Sequence, residues 1–186
     1  CLVNLTKMFS MKQKNTKTHI LTISCTFPSY HPRRGEETGF VEKIENALSA
    51  NVDAVQIYDQ PYKLHTIRGN FPLWQKRIAE VQDGTAVLSL RYWSGKPYNS
   101  PQVEFARLTA GNGVGVQMVH IDLSVPSIPN FYMPEYSTRD IDGFPSVCHI
   151  PMNDGLSVED FAEWFINGKY DLSQPMAIIH FTPFRY

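Results

Sequence analysis

The middle of the chain restricts the fold most, because three strand-like runs follow one another there with short turn sequences between them. The first run covers residues 85–93 (TAVLSLRYW) and the second covers residues 102–108, with SGKPYNSP between them. Glycine, proline and asparagine favour chain reversal, so the pattern predicts a hairpin. A third run, at residues 114–123, alternates apolar and polar residues after Gly111-Asn112-Gly113. This alternation predicts a further strand.

Helical patterns flank these strands rather than alternating with them. Apolar residues recur at helical spacing at residues 39–50, after Pro72 and at residues 157–168, which predicts about three helices. Strand patterns at residues 18–27 and 176–182 complete the set. Because strands and helices do not alternate regularly, the sequence predicts an α+β fold. We expect a small mixed sheet or barrel with attached helices, not a doubly wound sheet.

The domain limits follow from where these patterns begin and end. Residues 17–186 are long enough for a single domain with its own core. Lysines interrupt residues 1–16, so this stretch lacks a signal-peptide core and is predicted to be a flexible N-terminal arm, with Met8 or Met11 as a candidate start. Residues 124–151 are rich in proline and aromatic residues without a period, which predicts an irregular insertion with a functional or lid role.

Charge and cysteine content narrow the classes of function. Lysine and arginine number 17 against 18 acidic residues, for a net charge of -1. This balance argues against a general polyanion binder but leaves a local basic face open. The 3 cysteines are scattered, so neither a disulfide framework nor a metal site is predicted, and a reducing, cytoplasmic setting is expected. No apolar run has the length of a membrane span.

The hexapeptide Lys63-Leu64-His65-Thr66-Ile67-Arg68 is unusually polar for a segment with interleaved apolar residues. It places a cation, an imidazole, a hydroxyl and a guanidinium close together. Buried polar groups need partners, whereas a surface loop would not need the two apolar residues. We therefore expect a half-buried segment that lines a cleft.

Together with later motifs, the hexapeptide resembles the ASCH domains of the PUA-like superfamily, in particular the ASCH-like proteins of phages and Bacteroidetes. These often read KxHTIR, then a tryptophan, then a glycine before a strand. They close with an NDGLS-type turn, a helix and an IIHFT-type strand. The matching positions here are residues 63–68, Trp74, Gly84, residues 153–157 and residues 178–182. The ordered set spans about residues 18–186 and is more specific than the hexapeptide alone.

This resemblance implies a compact PUA-like β-barrel with flanking helices and a cleft lined by the KxHTIR segment. The superfamily is associated with recognition of RNA and modified nucleosides. One bacterial ASCH branch is similar to amidohydrolases that remove the acetyl group from N4-acetylcytidine with a lysine, a threonine and a glutamate. Lys63 and Thr66 match the first two, and Asp154, one methylene shorter, falls where the glutamate would be.

The chemistry of Thr66 has two interpretations. As a nucleophile its hydroxyl needs a base, which Lys63 supplies if burial lowers the lysine pKa. Otherwise Thr66 contacts a ligand or is an ordinary strand hydroxyl. On a regular strand, side chains three residues apart point to opposite faces, so the two would converge only on a tighter turn. Asp154 would support Lys63, or it serves only the Asn-Asp-Gly turn.

Other side chains are candidates for holding a ligand. Arg68 would clamp a phosphate or carboxylate, unless it pairs with a carboxylate of the fold, and His65 is either a ligand contact or a structural hydrogen-bonding group. Tyr92 and Trp93 suit the stacking of bases. The basic loop at residues 31–34 would bind phosphate or remain solvated. The candidate ligand-binding residues are His65, Arg68, Arg33, Arg34, Tyr92 and Trp93.

The leading hypothesis is binding of RNA, a nucleotide or a modified nucleoside in a cleft built around Lys63, Thr66 and Arg68. The first alternative is an amidohydrolase acting on N4-acetylcytidine-like acylated nucleosides, with Lys63, Thr66 and Asp154 as catalytic residues. The second is a protein-interaction module of a phage or mobile element. The near-neutral charge favours a small nucleoside over tight non-specific RNA binding, which depends on many phosphate contacts. No cofactor, metal or membrane partner is expected, and the oligomeric state stays open.

Overall fold

In a computed structural model of the protein, the described residues are 16–52, 62–126, 129–134 and 149–186. The strands in these ranges are β1 (Lys17–Thr22), β2 (His65–Arg68), β3 (Ala86–Trp93), β4 (Gln102–Leu108), β5 (Gly115–Asp122), β6 (Asn130–Tyr132) and β7 (Met176–His180). The helices are α1 (Phe40–Ala50), α2 (Phe71–Gln82), α3 (His149–Asn153) and α4 (Val158–Ile166). The α+β class is as the sequence predicts.

The strands form two sheets, with strand orders β1-β3-β4 and β2-β7-β5-β6. In the first sheet β1 runs parallel to β3, and β3 and β4 form the predicted antiparallel hairpin. Parallel strands need a long crossover, and here the chain between β1 and β3 supplies α1, β2 and α2. All pairings in the second sheet are antiparallel. The crossover therefore carries the hexapeptide strand β2 from the first sheet to the edge of the second.

Helix α2 holds the two sheets together, because it contacts β3 of the first sheet and both β5 and β7 of the second. Its apolar stripe is spaced at helical period and is fully buried. The stripe consists of Phe71, Trp74, Ile78 and Val81. Asn70 caps the helix, since its side chain accepts a hydrogen bond from the backbone N–H of Leu73. Trp74 is therefore a core residue of this fold.

The expected barrel is wrong for the part of the chain that the structure describes. Among the described strands, none of the first sheet pairs with one of the second, whereas a barrel requires the sheet to close on itself. Helix α2 packs against both sheets, so the core is covered by a helix where a barrel would continue the hydrogen-bonded ladder. Only the general α+β class holds.

Several element boundaries differ from the sequence expectation. The strand expected at residues 18–27 ends at Thr22, although its alternation is confirmed by buried His19 and Leu21 and exposed Ile20. The hexapeptide contributes a short strand, β2, that the sequence pattern does not predict. Strand formation here follows from pairing with β7, a long-range contact that local spacing does not encode.

The region expected to be an irregular insertion, residues 124–151, contains strand β6 and the start of a fourth helix, α3. Helix α3 has Pro151 in its first turn, where the missing N–H of proline is tolerated. Residues 127–128 and 135–148 of that region lie outside the described residues, as do residues 1–15 of the predicted N-terminal arm.

Candidate functional site

Lys63 lies at a junction between helices, just before β2. Its backbone N–H donates to the Lys43 carbonyl of α1 (3.1 Å), and the N–H of Leu64 donates to the carbonyl of Asn153 in α3 (2.8 Å). Because β2 begins only at His65, strand alternation does not govern the direction of the Lys63 side chain. Lys63 and Thr66 consequently line the same cavity, as the nucleophile hypothesis requires.

Lys63 and Asp154 form a buried ion pair. The Lys63 Nζ donates to Asp154 Oδ1 at 2.6 Å and to the Asp154 carbonyl at 2.5 Å. The same Nζ lies 4.2 Å from the centroid of the Phe40 ring. Only 1% of the Lys63 side chain is exposed, so protein atoms rather than water provide nearly all the contacts that stabilise its positive charge. The structure thus pairs two of the three residues predicted to be catalytic directly, and the third, Thr66, lines the same cavity.

The ion pair changes the proton affinity of both partners. Burial lowers the pKa of Lys63 to about 8, although the Asp154 carboxylate opposes this change. Burial tends to raise the pKa of Asp154, but Lys63 and His65 outweigh that effect and hold it below its ordinary value. Both groups are charged at neutral pH, and Lys63 is close enough to neutrality to exchange a proton there.

Thr66 and Arg68 share one face of β2, since alternate residues of a strand point the same way. Arg68 Nη1 donates to Thr66 Oγ1 and to the Ile67 carbonyl, both at 2.9 Å, and Nη2 donates to the Thr22 carbonyl at 2.8 Å. All three acceptors are neutral, and no carboxylate among the described residues forms an ion pair with Arg68. A guanidinium has five N–H donors, and the described residues accept three hydrogen bonds from Arg68.

The side chains of Lys63, Asp154, Thr66 and Arg68 line a cavity of about 130 Å³, here named the Lys63 cavity. Its polar lining includes Lys63, Thr66, Arg68, Asp154 and Ser24, and its other walls are largely aromatic. The aromatic residues are Tyr30, Phe40, Trp164, Phe165 and Tyr170. Pockets for drug-sized ligands measure roughly 300–1,000 Å³. The Lys63 cavity therefore suits a single planar ring or a small acyl group rather than a whole nucleotide.

Sequence reasoning misses the aromatic wall of the Lys63 cavity. Trp164 and Phe165 fit the apolar face of a helix, and nothing local distinguishes them from core residues. Tyr30 offers a weak signal, because it is an aromatic residue in an otherwise polar loop. Burial and the nearby Tyr170 hydroxyl raise the pKa of Tyr30 to about 12. Its hydroxyl therefore stays protonated at neutral pH and can donate a hydrogen bond.

His65 is not among the residues that line the Lys63 cavity. Its Nε2 is 2.7 Å from the Tyr186 hydroxyl, and its Nδ1 is 3.6 Å from Asp154 Oδ1, beyond hydrogen-bond distance. The Tyr186 hydroxyl also accepts a hydrogen bond from Asn153 Nδ2 at 3.0 Å. Complete burial lowers the pKa of His65. This geometry fits a structural hydrogen-bonding group rather than the predicted ligand contact.

The basic loop does not face the Lys63 cavity either. Arg33 Nη1 donates to Asp160 Oδ2 at 2.6 Å and Arg33 Nε donates to Glu36 Oε2 at 2.8 Å, so its charge is already compensated. Its Cζ also lies 4.4 Å from the Phe27 ring centroid. Arg34 is exposed. Neither arginine is brought to the cavity lining, which leaves them outside the site built around Lys63.

Tyr92 and Trp93 lie at the end of β3 and are not among the residues that line the Lys63 cavity. The Tyr92 ring packs 6.1 Å from the Phe105 ring, between centroids. Trp93 lines a second cavity of about 660 Å³, here named the hairpin cavity, together with Tyr98 of the β3–β4 turn. Of the two predicted stacking residues, Trp93 lines the hairpin cavity and Tyr92 does not.

Comparison of the chain with family models, with curated proteins and with solved structures gave no match in any of the three. The resemblance to ASCH domains therefore stays a prediction. Within the described ranges, no cluster of three or more histidine, cysteine or acidic side chains is arranged to hold a metal ion. The helices in those ranges are also too short or too polar to cross a membrane.

Proposed function

We propose that the chain binds a nucleoside, free or within RNA, with the base in the Lys63 cavity. The observation that carries this proposal is the state of Arg68. It is a half-buried cation whose acceptors among the described residues are all neutral, which supports a role for its charge and remaining donors in holding a ligand. Arginine forks suit planar acceptors such as the carbonyl and ring nitrogen edge of a base.

The size and lining of the cavity favour the same class of ligand. At about 130 Å³ it accommodates one planar ring, and its aromatic walls offer the faces on which unstacked bases pack. Thr66 and Asp154 add polar groups for the edge of a base. The resemblance of the KxHTIR segment to ASCH domains points to nucleosides as well. Because the sheets do not form the barrel of that superfamily, the proposal depends on the cavity and not on the fold.

The binding proposal is tested by titrating cytidine, N4-acetylcytidine and cytidine 5′-monophosphate into the protein by calorimetry. We expect Arg68→Ala to weaken binding about 10- to 100-fold, because a hydrogen bond to a charged group contributes about 1.5–3 kcal/mol. Arg107→Ala is the matched control, since Arg107 lies on β4 and pairs with Glu104. Equal affinities of wild type and Arg68→Ala, or no binding of any of the three ligands, would contradict the proposal.

A second candidate function, hydrolysis of an N-acyl nucleoside, is favoured by the pairing of Lys63 with Asp154 beside Thr66. In this reaction the neutral Lys63 amine takes the Thr66 hydroxyl proton while Oγ1 attacks the acyl carbon. The C–N bond then breaks, and the proton passes to the leaving amine. Water hydrolyses the Thr66 ester and releases the carboxylic acid. The Arg68 hydrogen bond to Oγ1 would stabilise negative charge on that oxygen.

The hydrolase candidate is tested by incubating the protein with N4-acetylcytidine and separating the products by chromatography. We expect cytidine and acetate in equal amounts, loss of turnover in Thr66→Ala, and partial activity in Thr66→Ser, which keeps the hydroxyl. The rate should rise with pH toward the Lys63 pKa of about 8, because the base must be unprotonated. Binding without product would leave the chain as a binding protein, and turnover by Thr66→Ala would exclude Thr66 as the nucleophile.

A further inference from the structure

The hairpin cavity lies next to the Lys63 cavity. Ile23, Ser24 and Pro28 line both of them, so the segment that follows β1 forms a shared wall. The hairpin cavity is the larger of the two, at about 660 Å³ against about 130 Å³. A ligand that fills the small cavity with one ring would therefore meet the larger cavity as it continues outward.

Tyr98 in the hairpin turn has no structural explanation in the core. Its side chain is 87% exposed, and its backbone φ of 64° is in the left-handed region, which a non-glycine residue adopts only under constraint. The turn supplies that constraint. Ser100 Oγ accepts from the Gly95 N–H at 3.0 Å and donates to the Lys96 carbonyl at 2.9 Å, and the N–H of Asn99 donates to the same carbonyl at 3.1 Å.

The constrained turn sets Tyr98 beside Trp93, with 5.3 Å between ring centroids and 50° between ring planes. Both rings border the hairpin cavity. Among the described residues that line it, none is acidic, and Thr22, Ser24 and Ser94 contribute hydroxyls. Lys96, exposed in the same turn, adds a positive charge. Aromatic faces, hydroxyls and a lysine are the groups that hold a base and its phosphate.

We propose that the hairpin cavity is a stacking subsite for a second nucleotide, adjoining the one whose base occupies the Lys63 cavity. This inference rests on the proposed nucleoside binding and specifies its ligand as single-stranded RNA of at least two nucleotides. Trp93 and Tyr98 would stack the second base, and Lys96 would contact a phosphate. The shared wall of Ile23, Ser24 and Pro28 sets the distance between the two positions.

The proposal is tested by comparing a mononucleotide with a dinucleotide and a tetranucleotide of the same base, by calorimetry and by quenching of tryptophan fluorescence. We expect the wild type to bind the dinucleotide about tenfold more tightly than the mononucleotide, as one additional stacked base allows. Tyr98→Ala should remove most of that gain while leaving the mononucleotide affinity unchanged. Tyr132→Ala is the matched control, because Tyr132 is 65% exposed on β6 and borders neither cavity.

The outcomes separate the two proposals. If mononucleotides bind through Arg68 but the dinucleotide binds no more tightly, the second subsite is refuted and nucleoside binding stands. If Tyr98→Ala keeps the full dinucleotide gain, the subsite is also refuted. If the wild type binds neither ligand, the proposed function itself fails and the subsite fails with it.

Discussion

The two faces of strand β2 carry polar side chains of the same hexapeptide but meet different surroundings. On one face Thr66 and Arg68 line the Lys63 cavity. On the other, His65 lies opposite His180 of β7 in the strand register, and both imidazoles are fully buried. Asp154 touches both sides, with Oδ1 2.6 Å from Lys63 Nζ and 3.6 Å from His65 Nδ1.

The comparison shows that polar side chains on a strand indicate a candidate ligand site only where they line a cavity. Arg68 keeps donors that no described protein group uses, so a ligand can add to its hydrogen bonds. His65 is held by the Tyr186 hydroxyl, and His180 has no hydrogen-bond partner among the described residues for either ring nitrogen. We therefore expect changes on the histidine face to alter stability and, under the proposed function, changes on the arginine face to alter binding.

The largest expected effect comes from breaking the buried ion pair between Lys63 and Asp154. Asp154→Asn leaves the Lys63 charge buried without a counter-charge, which typically costs about 3–5 kcal/mol. We expect the free energy of unfolding, measured by urea denaturation, to fall by that amount. Asp160→Asn is the control, because it breaks the exposed ion pair with Arg33 and should cost far less.

A double variant, Lys63→Met with Asp154→Leu, tests whether the loss of stability comes from the unpaired charge. Replacing both charges with apolar side chains should recover most of the lost stability, since a well-packed apolar pair is often as stable as a buried ion pair. If the double variant is as unstable as Asp154→Asn, the loss would come from packing at this position and not from the unpaired charge.

A pair of single variants compares the two faces directly. Thr66→Val should weaken nucleoside binding about two- to tenfold with a small change in stability, because a neutral hydrogen bond contributes about 0.5–1.5 kcal/mol. His65→Leu should do the reverse, lowering the free energy of unfolding by about 0.5–1.5 kcal/mol through loss of the hydrogen bond between His65 and the Tyr186 hydroxyl. Calorimetric titration and urea denaturation of both variants measure the two effects. A loss of affinity in His65→Leu at unchanged stability would place a ligand contact on the buried face.

The smallest effect is expected at His180. His180→Leu removes no protein hydrogen bond that the structure describes, so we expect less than about 1 kcal/mol of change at pH 8. Burial holds the pKa of His180 well below its ordinary value. The unfolded chain therefore binds more protons below about pH 6.5, and stability falls by up to about 1.4 kcal/mol per pH unit on acidification. In His180→Leu the part of this acid destabilisation that comes from His180 should disappear. The part that comes from His65, whose pKa burial also lowers, should remain. Identical acid profiles for wild type and variant would show that His180 does not titrate in this way.

Local patterns predicted much of the fold correctly. The β3–β4 hairpin, β5, β7 and helices α1, α2 and α4 follow from apolar period and turn residues, which depend only on neighbours in the chain. The same patterns gave no sign of β2, whose pairing with β7 joins residues 65–68 to residues 177–180. They also gave no sign that the two sheets stay open.

The sequence by itself determined that residues 63–68 hold an unusual concentration of polar groups, together with the strand and helix content around them. The tertiary structure alone decided which of those groups can meet a ligand. The Lys63 backbone is tied to Lys43 before β2 begins, and its side chain lines the same cavity as Thr66. Arg68 donates to a carbonyl of β1, and no carboxylate among the described residues pairs with it. Such partners come from distant parts of the chain. The sequence gives the chemical groups of each side chain, whereas packing determines which charges are compensated and which groups are exposed.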